Sequence, residues 1–476
     1  MKQLSILFRW DGTVGRGFYA LVGVIGFAFK HNLDRLVATV IFHRRWGIFN
    51  YWIPPVQVLH FSSLPRADAI FLGSLLAMAL PFIWVGVALT VRRLRAIGLP
   101  IWLVVLFFVP ALNLLFFLLL STLPSRAPKG AAPPPARDRL ERIFDRYIPH
   151  HIVGSAALAV LITAILGVAT VGFATSQMPV YGVGLYVGLP FCLGLISSLI
   201  DGYHHPRSLL RCLAVSALSA VLVGVGLFAL AIEGAFCLIM AVPIGMILAV
   251  VGGAVGYLIQ PVSGAARQTP ATMLIAILFA PGVIQAERAL KPEAPLYQVT
   301  TSVVIHAPAE TVWRELVTFN DIDEPPDWLF RLGIACPTRA TIAGRGPGAV
   351  RHCVFSTGAF VEPIEVWDEP RRLAFSVTSN PPSMTEWTPY ENIQPPHLEG
   401  FLVSERGQFL LTSLGPHQTL LEGSTWYRHH MQPAEYWRLW SDFIIHRIHE
   451  RVLRHIQLRA ERSNAAGELK NGGAIP

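Results

Sequence analysis

The sequence predicts a multi-pass α-helical membrane region followed by a soluble α+β domain. Two observations lead to this reading. Apolar runs long enough to cross a bilayer recur from Gly17 to about Ile284, whereas from Tyr297 to about Glu461 the chain is charged and alternating, with tryptophans at intervals. Charge divides at the same place: residues 1–296 hold 22 Lys+Arg against 10 Asp+Glu, a balance of +12, and residues 297–462 hold 15 against 19, or −4.

Composition narrows the class. A mean hydropathy of +0.49 with only 14% charged residues belongs to membrane proteins rather than ordinary globular ones. The basic pI of 9.4 requires no nucleic acid. Lys and Arg sit in short clusters beside apolar runs, where they meet anionic lipid head groups, and no basic stripe with interleaved aromatics appears. Membrane lipids are therefore the expected partner, and nucleic acid is not. Cys192, Cys212, Cys237, Cys336 and Cys353 show no metal-ligand spacing and read as small buried side chains, so neither metal nor cofactor is expected. Leu4 to Phe8 is too short for a signal-peptide core, which leaves the first spanning helix as its own uncleaved signal.

A spanning helix needs about 20 apolar residues. Residues 1–124 offer three such segments, at about 18–42, 67–91 and 100–121. Residues 125–150 form a linker, in which Pro133-Pro134-Pro135 precedes an Arg-rich amphipathic stretch from Arg137 to Tyr147 that reads as a helix lying on the membrane surface. Residues 151–290 hold four segments, at about 151–175, 180–200, 209–232 and 235–259, and a marginal fifth at 271–286. Gly182, Gly184, Gly188, Gly224, Gly226, Gly252, Gly253 and Gly256 suit close helix packing in lipid.

Positive charge orients these segments. Arg126, Lys129, Arg137, Arg139, Arg142 and Arg146 precede the fourth segment and Arg207 and Arg211 follow the fifth, while the turns around Gln177 and Glu233 contain no Lys or Arg. The linker then faces the cytoplasm, and a complete crossing by 271–286 carries the C-terminal domain to the extracytoplasmic side. Arg92, Arg93 and Arg95 also ask for the cytoplasm, which favours a re-entrant 100–121, broken by Pro110 and Asn113. Lys30, His31, Asn32, Asp34 and Arg35 cannot all face lipid, because a charge at the bilayer centre costs about 2.5–3.5 kcal/mol. The helix either surfaces there or pairs Lys30 with Asp34, four residues apart; a transport or sensor role for the membrane half is the alternative. Asp201, His204 and His205 read as an interfacial turn rather than metal ligands.

Phe8-Arg9-Trp10-Asp11-Gly12 with Gly15-Arg16 and Phe18-Tyr19, followed by Arg92-Arg93-Leu94-Arg95-Ala96-Ile97-Gly98 and Trp102, resembles the bacterial inner-membrane family called domain of unknown function 805. The resemblance covers residues 8–124, departs from the family with Arg95-Ala96 in place of His-Asp, and implies a bacterial inner-membrane location with no known chemistry.

In residues 297–462, Val299, Val303 and Ile305 alternate with polar residues as an opening strand, and Ala307-Pro308 starts a helix with Val312, Trp313 and Leu316 on its apolar side. A short helix at Trp328–Leu332 follows. Strand-like runs span 349–357, 360–368, 373–378, 401–414 and 419–430, and a helix runs from 433 to 460. Residues 463–476 read as a flexible tail. The stretch 379–400, with Pro381-Pro382, Trp387, Tyr390 and Pro395-Pro396, is long enough to be a lid or an aromatic contact with the bilayer.

Ile305-His306-Ala307-Pro308-Ala309-Glu310-Thr311-Val312-Trp313, Gly346-Pro347-Gly348-Ala349-Val350-Arg351 and Glu365-Val366-Trp367-Asp368-Glu369-Pro370-Arg371-Arg372-Leu373-Ala374-Phe375 resemble the SRPBCC superfamily of START-like and polyketide-cyclase-like helix-grip domains, over residues 297–460. The resemblance implies a curved antiparallel sheet wrapped on the C-terminal helix around a cavity for an apolar or aromatic ligand. It fixes no activity. Spaced at 100° per residue, Trp437, Trp440, Ile444, Ile448 and Val452 share a helix face with Arg451 and His455, while His446, His449 and Glu450 point away. Strand alternation groups Arg351, Cys353 and Phe355, then Glu362 with Ile364, then Trp426, Arg428 and His430. The expected pocket therefore holds Arg351, Phe355, Glu362, Trp426, Arg428, Trp440, Ile444 and His455. The function expected is membrane-anchored binding of a lipid-like or aromatic ligand. The alternative is a cyclase-like or hydrolytic enzyme using His455, His430 or Glu362 as a base, although no recognisable catalytic constellation is present.

Overall fold

The computed structural model describes residues 5–44, 46–51, 66–108, 112–125, 139–177, 180–260, 265–290, 293–319, 321–388 and 395–472. The chain forms two compact units, one of Met1–Leu230 with Ala241–Pro292 and one of Ala231–Met240 with Glu293–Pro476. Most of the proline-rich linker, including Arg126, Lys129 and Arg137, lies outside the described residues, as does Tyr390.

The helices before the sheet are α1 (Ser5–Phe8), α2 (Arg16–Val40), α3 (Arg66–Ile97), α4 (Leu112–Thr122), α5 (Arg139–Tyr147), α6 (Ile152–Gln177), α7 (Leu189–Asp201), α8 (Leu209–Ala229), α9 (Ala235–Ile259) and α10 (Ala265–Leu290). Among the described residues, six stretches are long and apolar enough to cross a membrane: α3, α6, the run Gly184–Asp201, α8, α9 and Pro270–Leu290. The last is longer than the sequence suggested, because the helix continues through both Pro270 and Pro281. Segment 100–121 divides into a 3-10 helix, Ile101–Phe108, and the 11-residue α4, each too short to cross by itself. The Arg-rich stretch forms α5, as its amphipathic pattern predicts.

Several buried charged groups in this unit pair with one another, as low dielectric favours. Lys30 and Asp34 form a buried ion pair, and Tyr51 Oη donates to Asp34 Oδ2 at 2.6 Å. Lys30 and Asp34 thus pair, while Asn32 and Arg35 of the same cluster are exposed. Asp201 accepts from Ser155 Oγ at 2.7 Å and Arg211 Nε at 2.7 Å, while His204 Nε2 lies 2.8 Å from the Ile148 carbonyl. These residues tie helix ends together and do not converge on a metal position. A Cβ at Gly194 would collide with the Ala249 carbonyl and one at Gly252 with that of Phe191, so glycine is what lets α7 and α9 approach.

The second unit is built on seven antiparallel strands: β1 (Leu296–Ile305), β2 (Pro337–Ala343), β3 (Val350–Phe355), β4 (Gly358–Asp368), β5 (Arg372–Ser376), β6 (Leu402–Gly415) and β7 (Gln418–His429), in spatial order β1-β7-β6-β5-β4-β3-β2. Helices α11 (Ala309–Val317) and α12 (Trp328–Arg331) lie between β1 and β2, and α13 (Ala434–Gly472) closes the domain. This is a curved half-barrel sheet with a C-terminal helix, the helix-grip arrangement. Ile305, Val312, Trp313, Leu316, Leu373, Leu421, Leu453 and Ile456 form its core, each no more than 2% exposed. Two features depart from expectation. β2 is an edge strand of weak apolar alternation that begins at a proline, a position sheets tolerate only at an edge or strand start. α13 continues to Gly472, past the boundary expected at 462.

Candidate functional site

The helix-grip domain encloses a cavity of about 100 Å³ between the sheet and α13. Its charged centre follows from strand register. Arg351 on β3 stands directly opposite Glu362 on β4, and Arg351 Nη1 donates to Glu362 Oε2. The guanidinium is 1% exposed and lies 5.6–5.9 Å from the ring centroids of Phe319, Phe375 and Phe409, a setting that adds cation–π attraction. Its Nε and Nη2 make no hydrogen bond among the described residues. Burial pushes the Glu362 carboxyl up despite its cationic partner, and pushes the neighbouring Cys353 thiol up to about 12. At neutral pH Cys353 is therefore a protonated, poor nucleophile.

From α13, Ile445, Ile448, His449, Val452 and Leu453 line the cavity. His449 is held by hydroxyls on both sides, with Thr301 Oγ1 3.0 Å from Nδ1 and Thr425 Oγ1 2.8 Å from Nε2. Burial, followed by repulsion from His446, lowers its pKa to about 4, so the ring is neutral at pH 7. The remaining wall combines apolar or small residues, among them Phe355, Phe360, Phe375, Phe409 and Gly423, with the polar side chains of Ser404, Arg406, Gln408, Ser424 and Thr425.

Of the eight residues expected in the pocket, Arg351, Phe355 and Glu362 line this cavity; Trp426, Arg428, Trp440, Ile444 and His455 do not. On β7 the assumed face was off by one residue. Leu421, Gly423, Tyr427 and His429 are the buried set, whereas Trp426 stacks on Arg406 and Arg428 pairs with Glu405 at 2.5 Å. The cavity exists there because Gly423 and Thr425 are small, and small residues carry little apolar signal. On α13 the inward stripe is 445, 448, 449, 452, 453, 456 and 460, which includes His449 and leaves Trp440 and Ile444 at its margin. Scoring the i, i+3, i+4, i+7 pattern over the whole helix would have found it. His455 is buried, with Nδ1 3.2 Å from Glu324 Oε2, and serves the domain wall. His430 is exposed, so of the three possible bases only Glu362 reaches the cavity, and it is committed to Arg351. His446 is exposed, and Glu450 pairs with Arg447 rather than with it. The described residues of 379–400 do not line the cavity, so they form no lid over it.

Similar architecture occurs among solved structures. A point mutant of Thalictrum flavum norcoclaurine synthase in complex with a transition-state analogue is 12% identical, covering 36% of this chain and 98% of its own, with a TM-score of 0.25. The Zhui aromatase/cyclase from Streptomyces sp. R1128 is 13% identical, covering 38% and 100%, with a TM-score of 0.23. The protein XoxI from Bacillus cereus is 18% identical, covering 36% and 97%, with a TM-score of 0.23. No family model and no curated protein matches the chain, so the resemblance of residues 8–124 to domain of unknown function 805 gains no support.

Proposed function

We propose that this chain is a membrane-anchored binding module whose C-terminal domain takes a small, ring-sized apolar ligand bearing an anionic or hydrogen-bond-accepting group. The observation that carries the reading is Arg351, a buried cation on the cavity wall with two nitrogens still unbonded, set among phenylalanines. A guanidinium in that position has donors for a carboxylate or carbonyl, and charge-assisted bonds are the strong ones. Size favours a ring over an acyl chain: about 100 Å³ is well below typical ligand pockets of roughly 300–1,000 Å³ and nearer the ~150 Å³ apolar cavity that admits benzene.

The test uses the full-length protein in lipid nanodiscs, titrated calorimetrically with benzoate and with toluene. Benzoate is expected to bind more tightly than toluene. Replacing the pair together, Arg351→Met with Glu362→Leu, avoids stranding one buried charge and is expected to weaken benzoate at least tenfold, the lower end of a charged hydrogen bond worth about 1.5–3 kcal/mol. Failure of both probes to bind, or benzoate affinity unchanged in the double variant, would sink the proposal.

We further place the domain on the extracytoplasmic face of a bacterial inner membrane. Support comes from the Lys- and Arg-free turns at Gln177 and Glu233, from the length of α10, and from Ala231–Met240, which joins α8 to the first residues of α9 and shares a compact unit with Glu293–Pro476.

A further inference from the structure

The geometry points to a transition-metal site of the zinc class at the start of α9, built by Cys237, Glu386 and the Nε2 of His397, with Glu233 at the other ring nitrogen to orient the imidazole. It is independent of the ligand cavity and shares no residue with it. All four residues are buried, at 9%, 4%, 8% and 7% exposure. Cys237 Sγ lies 2.8 Å from His397 Nε2, and Glu386 Oε1 lies 3.5 Å from the same nitrogen. On the other edge of the ring, Glu233 Oε2 lies 3.5 Å from Nδ1. One donor atom each from Glu233, Cys237 and His397 fit within 4.8 Å of one another.

The surrounding backbone holds this arrangement. The Ala235 N–H donates to the Trp387 carbonyl at 3.0 Å, and Tyr436 Oη donates to the Met240 carbonyl. Gly234 is required by the site: a Cβ there would collide with the Glu386 carboxylate.

Two features separate this cluster from an ordinary buried histidine. The Glu386 side chain is fully buried, and neither oxygen accepts a hydrogen bond among the described residues. Burying a carboxylate without donors is costly, and a divalent cation removes that cost by coordination. The donor chemistry is also selective. One thiol, one imidazole and carboxylates suit zinc-like ions rather than calcium or magnesium, which take oxygen alone. Metal–ligand bonds of about 2.0–2.3 Å imply tetrahedral edges of roughly 3.3–3.8 Å; the Glu386–His397 separation of 3.5 Å already has that value, and the Cys237–His397 edge, 2.8 Å here, opens as the ion enters. Binding displaces the Cys237 proton to solvent and leaves the thiolate on the metal.

The test is Co²⁺ titration of the full-length protein in nanodiscs after EDTA treatment and dialysis. One equivalent is expected to produce a thiolate-to-cobalt charge-transfer band and tetrahedral d–d bands, both bleached by Zn²⁺. Cys237→Ala should abolish the charge-transfer band, Glu386→Gln should weaken Co²⁺ at least tenfold, and Cys336→Ala should leave the spectrum unchanged. Size-exclusion profiles matching wild type show that each variant is folded. Absence of the band in wild type, or its survival in folded Cys237→Ala, would overturn the site.

Discussion

Arg351 and His449 show how burial decides the chemistry of single residues in this domain. Arg351 keeps its charge because Glu362 faces it across two strands, while His449 gives up its charge because burial penalises the cation and His446 repels it. The histidine makes stability pH-dependent. Its folded pKa, lowered from 6.5 to about 4, means that the unfolded chain binds the proton first, so the stabilisation is complete above 6.5 and is lost as pH falls from there toward 4. His429, also lowered by burial to about 4, acts in the same direction. Each shift corresponds to about 3 kcal/mol at most, at 1.36 kcal/mol per unit. Glu362, raised by burial, works in the opposite sense, since its folded state favours the proton. Thermal unfolding of the full-length protein should therefore show a lower C-terminal midpoint at pH 4.5 than at pH 7. His449→Gln should shrink that difference, and an equal difference in wild type and variant would show that the histidine is not its source.

Among elements, packing geometry separates what pattern reveals from what it conceals. Strand and helix order was legible because β1, β3 to β7, α11 and α13 each bury one face and so alternate with the period of their structure. The phase within β7 and α13 was not, because Trp426 and Trp440 attracted the inward assignment while glycine, threonine and histidine occupy the cavity wall. In the first unit, closeness of α7 and α9 depends on glycines whose missing side chains admit a neighbouring carbonyl. Gly252→Val should consequently lower the melting midpoint in a detergent thermal-shift assay, since overpacking costs about 1–3 kcal/mol. Gly245→Val, at a position with open space around its Cβ, should not. Equal effects of the two substitutions would remove close packing as the reason for Gly252.

For the whole molecule the consequential quantity is the number of crossings after the basic linker. If α6, the run Gly184–Asp201, α8, α9 and α10 each cross, they make five crossings, an odd number, and residues that start in the cytoplasm end on the other side. Single-cysteine variants at Ser302 and Ser463, both exposed, are expected to react with a membrane-impermeant thiol reagent in intact cells once the outer barrier is opened. Labelling only after lysis would put the domain, its cavity and the cluster near Glu233 on the cytoplasmic side.

The sequence by itself determined the apolar segments and, β2 excepted, the strand and helix order of the C-terminal domain. These follow from hydropathy and from short-range periodicity, which are local properties. Tertiary structure alone decided which side of β7 and which stripe of α13 meet at the cavity, how small that cavity is, and that Lys30 is buried against Asp34. It also brought Cys237 beside His397, 160 residues away in the chain. No spacing rule could have joined those two, because their proximity is set by how the start of α9 meets the segment after β5 and not by any repeat in the residues between.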